Sequence, residues 1–345
     1  RADGVMGTIV ITDIAWPTID IERELAAVAG HSVVLAESDE HLLALAPEAD
    51  AILTCFRRVS ATVLDAAIRC RTVARYGVGV DNIDVARATE LGILVSNVPE
   101  FCTEEVADHT LLLILATLRN LLPATDTVRG GGWRTDAGAS ARRIRGLVLG
   151  IIGYGAIGAA VAERATAFGF EVVVDSRRLA VDPASVPAHV SRVVDRDTLL
   201  AESDVVSIHV PLAADTRHSV GAAELARMKD GALLVNVSRG GLVNTDSLRA
   251  EVESGRLRAA LDVTDPEPLP AEHWLRSSDD AIVTPHVAFA SDGSLIELAT
   301  KATTNALTVL AGRLPASVVD RSVLDRPELR TPTLKQTRAL DEENS

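Results

Sequence analysis

The stretch LGIIGYGAIGAAV, residues 149–161, constrains the fold of this chain more than any other. A short apolar run leads into glycines 153, 155 and 158, spaced G-x-G-x-x-G, and small residues that suit a helix follow. Between a strand and a helix, Gly153 makes the tight turn, Gly155 lets backbone approach a ligand, and Gly158 lets the helix pack closely on the sheet. The helix start, at Ala156 and Ile157, then points unpaired N–H groups and the positive end of its dipole at a pyrophosphate. Asp175 ends the next apolar run, EVVVDS, where a carboxylate accepts hydrogen bonds from adenosine ribose hydroxyls. About 4 Å from a 2′-phosphate, that carboxylate would cost on the order of 4 kcal/mol at an effective dielectric of about 20. The balance favours NAD. Arg177 and Arg178, just after Ser176, keep NADP as the alternative.

The fingerprint lies in the middle of a 345-residue chain, which is long enough for two cores. Ahead of it, GTIVITD (7–13), SVVLAES (32–38), DAILTC (50–55), RTVARYGVG (71–79) and GILVSN (92–97) read as short buried strands separated by helices. Residues 103–122 show helical periodicity with Thr103 as N-cap, and 123–140 read as a Gly-rich loop. A second set of strands follows at 147–152, 171–176, 205–210, 233–238, 258–263 and 281–285, then a final helix at 294–313 and a polar, frayed tail from Asp320. If the helix at 103–122 leads out of the first domain and that at 294–313 leads back, the dinucleotide domain is an insertion. The expected class is α/β: two Rossmann-like lobes with parallel sheets, the nucleotide lobe inserted into a discontinuous flavodoxin-like substrate lobe. The expected boundaries are 1–102 with 291–330 for the substrate lobe, 103–290 for the NAD-binding lobe and 331–345 for the tail. The cleft between lobes is the expected active site, with hinges near 100–103 and 288–294.

Composition narrows the partners. A formal charge of −14 argues against nucleic acid or an anionic membrane, and makes any anion site locally basic against the general field. Cys55, Cys70 and Cys102 form no C-x-x-C pair and suit a reducing cytoplasm. The run LLLILATL at 111–118 is too short for a bilayer and reads as a buried helix. His109 and His209 have no metal-ligand spacing, so no metal is expected.

Three further motifs bring chemistry: NVSRGGLVN (236–244), ALDVTDPEP (260–268) and TPHVAF (284–289). Singly, Arg239 reads as well as a loop charge, Glu267 as a turn residue and His286 as a cap. Together they follow three strand ends on the edge where open α/β sheets bind ligands. A neutral-range imidazole beside a carboxylate suits proton transfer to a carbonyl oxygen. A planar, permanently charged guanidinium suits both a fixed carboxylate and a developing alkoxide.

With YGVGVDNID (76–84), NVPEFCTEEVADH (97–109) and HVPLAADT (209–216), these motifs resemble the D-isomer-specific 2-hydroxyacid dehydrogenase family over roughly residues 50–315. The family includes phosphoglycerate, lactate and glyoxylate/hydroxypyruvate enzymes and the C-terminal-binding-protein corepressors. The resemblance implies NAD-dependent interconversion of a 2-keto acid and a D-2-hydroxy acid. It implies His286 as proton donor and acceptor, Glu267 as its partner, and Arg239 as carboxylate anchor. Asp262 would fix the nicotinamide carboxamide, and Val237, Ser238 and Val106 would lie at the nicotinamide end. His209, Val210, Pro211 and Thr216 would line the adenosine side. The backbone of Val78 and Gly79 would cradle the substrate carboxylate. Selectivity would depend on Arg57, Arg75, Tyr76, Phe101, Trp133 and Phe289, with Arg57 and Arg75 reading either as a site for a second anionic group or as ordinary surface or core-edge charges. The resemblance also implies a homodimer formed through the NAD-binding lobe, with 123–145 as an arm.

Two other readings stay open at this level. One is an NADH-binding interaction protein like the corepressors, with incidental turnover. The other keeps the fold and takes a small inorganic or phosphono anion. Val106, where the corepressor branch tends to carry a hydroxyl, and Asp265, two before Glu267, depart from the family pattern without removing a catalytic group.

Overall fold

The computed structural model describes residues 7–331 and divides them into two compact units, 7–101 with 291–331, and 102–290. In the first unit, apolar runs bounded by turns form β1 (Thr8–Ile11), β2 (Ser32–Leu35), β3 (Ala49–Thr54), β4 (Thr72–Arg75) and β5 (Leu94–Ser96). All pair in parallel in the order β2-β1-β3-β4-β5, a flavodoxin-like arrangement. Such strands are buried on both faces, which is why they read as continuous apolar runs rather than alternating ones. One face packs Ile52, Val73 and Val95 against Leu64 and Ala88 from the connecting helices. The helix Asp292–Leu310 returns to this sheet.

The second unit carries seven parallel strands: β6 (Val148–Ile152), β7 (Glu171–Asp175), β8 (Arg192–Val193), β9 (Val205–Ile208), β10 (Leu233–Asn236), β11 (Arg258–Leu261) and β12 (Ala281–Val283). Their order is β12-β11-β10-β9-β6-β7-β8, so the chain reverses direction across the sheet beside β6, the strand that feeds the glycine turn. That reversal is where open sheets leave room for a ligand at their carboxyl ends.

Three expectations are corrected. The helix expected over 103–122 ends at Leu118, with its N-cap at Cys102 rather than Thr103, and a second helix, Leu121–Arg129, follows at a 65° bend. Asn120 makes the break in a left-handed conformation (φ 53°), and Arg258 donates to the Thr117 carbonyl in the last turn of the helix. Part of the expected loop at 123–140 is therefore helical; Pro123 falls in a first turn, where no N–H is needed. The tail expected to fray from Asp320 instead forms a short 3₁₀ segment, Arg321–Asp325, and buries Val323, Leu324 and Leu329 against Leu94 and Val309. Residues 332–345, the rest of the expected tail, lie outside the described residues. No single described helix is long and apolar enough to cross a membrane.

Candidate active site

The glycine turn shows what each glycine is for. A Cβ on Gly153 (φ +92°) would lie 2.5 Å from the His209 carbonyl oxygen, and one on Gly158 only 2.4 Å from that of Gly153. Both are required by the protein's packing on itself. Gly155 differs: a Cβ there meets nothing within 4 Å, and no side chain caps the helix Ala156–Phe168 that it opens. The open space faces uncapped N–H groups, as a pyrophosphate requires, so these residues fit the dinucleotide.

Asp175 ends β7, and its Oδ2 accepts from Arg196 Nε at 2.5 Å, an ion pair that the sequence does not reveal. Ser176 caps the short helix Arg177–Val181. His209 Nε2 lies 2.8 Å from the Ser207 hydroxyl, while Nδ1 is buried with no partner among the described residues. Burial pulls this imidazole down to about 4, which keeps it neutral. The Thr216 hydroxyl donates to the Pro211 carbonyl and accepts from the Ala213 N–H, both at 2.7 Å, so it closes its own turn beside Val210 and Pro211.

Arg239, Glu267 and His286 follow β10, β11 and β12 at the same sheet edge. Asn236, buried at the end of β10, shapes the first loop: its side-chain N–H donates to the Arg239 carbonyl and its oxygen accepts from the Ser238 N–H. The Ser238 hydroxyl donates to the Ile208 carbonyl, and Val237 is buried. Gly240 explains how this loop meets the next one. A Cβ there would fall 2.0 Å from the Thr264 carbonyl, so only glycine lets the Arg239 and Glu267 loops touch. The Thr264 N–H in turn donates to Glu267 Oε2 at 3.4 Å.

His286 Nδ1 lies 2.6 Å from Glu267 Oε1. An ionised carboxylate only accepts, so the shared proton belongs on Nδ1, and Nε2 points away from the carboxylate. Burial pushes the Glu267 carboxyl up, but the His286 hydrogen bond and charge, the Thr264 N–H and the Arg239 charge together hold it below the ordinary carboxylate value. The His286 backbone is left-handed (φ 54°), and its N–H donates to the Asp262 carbonyl at 2.7 Å. Phe289 meets the ring edge-on, 6.1 Å between centroids. Asp262 is almost fully buried, and its two carboxylate oxygens accept the N–H groups of Val287 and Ala288, each at 2.9 Å. Val106 is buried on the helix Thr103–Leu118.

In the first unit, Tyr76 and Arg75, two of the four side chains expected to set selectivity, face inward. Tyr76 is 2% exposed, stacks edge-on with Trp16, and donates its hydroxyl to Glu22. Arg75 is 7% exposed and donates to Asn82 Oδ1 at 3.1 Å. Arg57 is also engaged, with Asp39 Oδ1 at 3.1 Å. Phe101 is buried. Val78 and Gly79 remain accessible on a loop braced by Asn97, whose amide donates to the Val78 carbonyl at 2.7 Å.

Comparison with known proteins decides what this arrangement belongs to. Residues 111–288 match the model of the D-isomer specific 2-hydroxyacid dehydrogenase NAD binding domain. The chain is 40% identical to a glyoxylate reductase of Aeropyrum pernix over 294 residues, covering 83% of this chain and 87% of that one. The chain belongs to the D-isomer-specific 2-hydroxyacid dehydrogenases. A hydroxypyruvate reductase of Thermotoga maritima is likewise 40% identical, over 73% of this chain and 81% of its own. The TT0316 protein of Thermus thermophilus superposes with a TM-score of 0.82 at 35% identity, over 91% of this chain and all of that one. As a member of this family, the present dehydrogenase is an NAD-dependent oxidoreductase with two parallel α/β sheets.

The sequence motifs place Arg239, Glu267 and His286 at one edge, and the coordinates show what brings them there. Asn236, Gly240, Thr264 and Arg196 were not singled out as functional. Asn236 and Gly240 lie inside the NVSRGG motif, but their purpose depends on a loop from another strand.

Proposed function

We propose that this dehydrogenase reduces a small 2-keto acid of the glyoxylate or hydroxypyruvate class to the 2-hydroxy acid, of D configuration where the product is chiral. His286 is the acid, Glu267 its partner and Arg239 the carboxylate anchor. Relatives named for those two keto acids support the substrate class. The observation that carries the catalytic assignment is the 2.6 Å contact between His286 Nδ1 and Glu267 Oε1, which fixes the tautomer and aims Nε2 away from the pair. Bound NADH supplies the hydride. His286 then gives the Nε2 proton to the carbonyl oxygen as charge develops there, and Glu267 steadies the ring while it carries two protons. Arg239, its loop held by Asn236 and Gly240, pairs with the substrate carboxylate and stabilises the growing alkoxide. A carboxylate rather than a neutral amide beside His286 favours a reaction that needs a proton relay, and disfavours formate-type oxidation.

The test is NADH oxidation with glyoxylate, hydroxypyruvate, pyruvate, branched and aromatic keto acids and phospho analogues, in the parent and in His286→Ala. The variant is expected to lose about 10²–10⁴-fold in kcat with unchanged NADH affinity. Undiminished turnover in H286A rules out the assignment, and tight NADH binding with no turnover on any acid favours a binding role instead. We also propose a homodimer through the NAD-binding unit. The exposed apolar side chains Leu121, Val128 and Trp133 on its 121–133 segment support it, and sedimentation at micromolar concentration tests it.

A further inference from the structure

His109 has no part in the chemistry above, yet it ends a hydrogen-bonded path that reaches the His286 loop. It lies on the helix Thr103–Leu118, which packs on β10 and β11. Its Nε2 is 3.0 Å from Thr284 Oγ1, and the Thr284 hydroxyl donates to Asp262 Oδ1 at 2.6 Å. Thr284 has a single hydroxyl proton, and that proton is committed to Asp262. The oxygen therefore accepts from His109, which places a proton on His109 Nε2. The path runs in one direction: His109 N–H to Thr284, Thr284 O–H to Asp262, with the Asp262 carboxylate also gripping the N–H groups of Val287 and Ala288. These two residues directly follow His286, whose left-handed backbone is itself tied to the Asp262 carbonyl.

We infer that His109 is a positioning residue for His286: through Thr284 it fixes the Asp262 carboxylate that clamps residues 287–288, and so sets the aim of the His286 ring. This rests on the proposed role of His286. Asp262 is 1% exposed and His109 15%, so water does not readily replace the lost donor. A partly unsatisfied buried acceptor then relaxes the clamp, and misplacing a reacting group by about 1 Å costs up to about 10²-fold in rate.

The experiment compares His109→Phe, His109→Gln, Thr284→Val and the H109F/T284V double variant with the parent and with H286A. H109F and T284V are each expected to lose about 10–100-fold in kcat while KM and NADH affinity stay within about twofold. Gln, which presents an amide N–H near the Nε2 position, restores most of the rate. The double variant is no slower than either single one, because both cut the same path. Amide hydrogen exchange at Val287 and Ala288 should quicken in both single variants, a readout independent of turnover. Parental kcat in H109F, multiplied losses in the double variant, or unchanged exchange at 287–288 overturns the inference. If H109F does not fold, T284V and H109Q carry the same comparison. An inactive H286A beside a fully active H109F defeats this inference alone; a fully active H286A defeats the proposed function, and this inference with it.

Discussion

Two opposing effects meet at Glu267: burial favours its neutral form, and the stronger combination of His286, the Thr264 N–H and Arg239 favours its charge. Its folded value is depressed below the ordinary 4.5, so the stability it contributes is fully present above that value. That contribution is lost as pH falls through the lower, folded value. The thermal-stability advantage of the parent over Glu267→Gln should therefore be flat from neutral pH down to about 4.5 and disappear only below it. Melting curves at a series of pH values check this, and an advantage already gone at pH 6 contradicts it. Asp175 sets a second expectation. Its pairing with Arg196 draws a guanidinium beside the carboxylate expected to bind the ribose. Asp175→Asn should weaken NADH binding roughly 10–100-fold, the worth of a hydrogen bond to a charged group. It should tighten NADPH binding, because the repelling charge goes and Arg196 is released; fluorescence titration of both cofactors decides it. The placement of Arg239, Glu267 and His286 at one sheet edge was legible because each residue follows a strand within a recognisable motif. The inward turn of Tyr76 was not, since Glu22 and Trp16, which engage it, come from a distant part of the chain. The purpose of Gly240 was hidden for the same reason: its neighbour Thr264 belongs to the next loop.

At the scale of elements, the fingerprint glycines make separable predictions. Gly158→Ala forces a methyl to 2.4 Å from the Gly153 carbonyl, so the helix Ala156–Phe168 must move off β6. It should lower Tm and NADH affinity together. Gly155→Ala meets no protein atom, so Tm should hold while NADH affinity falls by about tenfold or more, since a methyl there intrudes on the space a pyrophosphate needs. Calorimetry beside NADH titration separates the two, and parental affinity in G155A would mean the open space is not where the pyrophosphate lies. The strands were readable because a buried parallel strand is a continuous apolar run between turns. β8 was not, being two residues of an edge strand with Arg192 exposed. The break after Leu118 was equally invisible: apolar periodicity continues through Leu121 and Leu122, and the stop depends on Asn120 and on Arg258, far along the chain.

For the whole molecule, the central position of the glycine turn disclosed that the first unit is built from both ends of the chain. How firmly the last segment is fastened was not disclosed, because in residues 314–331 apolar side chains are interspersed among polar ones without periodicity. Val323, Leu324 and Leu329 nonetheless close a small core with Leu94 and Val309, and Arg330 donates to the carbonyls of Ala67, Cys70 and Leu91. Gly92 admits this strap closely: a Cβ there would lie 2.0 Å from the Glu328 carbonyl. Burying three such side chains contributes on the order of 5 kcal/mol, comparable to the net stability of a whole domain. Ending the chain after Arg313 should therefore unfold the first unit at much lower temperature, by about 10 °C or more, and abolish keto-acid turnover. NADH binding should survive, because residues 102–290 form a continuous unit with its own core. Two-transition calorimetry with NADH present, which should raise only the second transition, tests both halves of this expectation. A truncated chain with a parental first transition would show that the strap covers the first unit without holding it together.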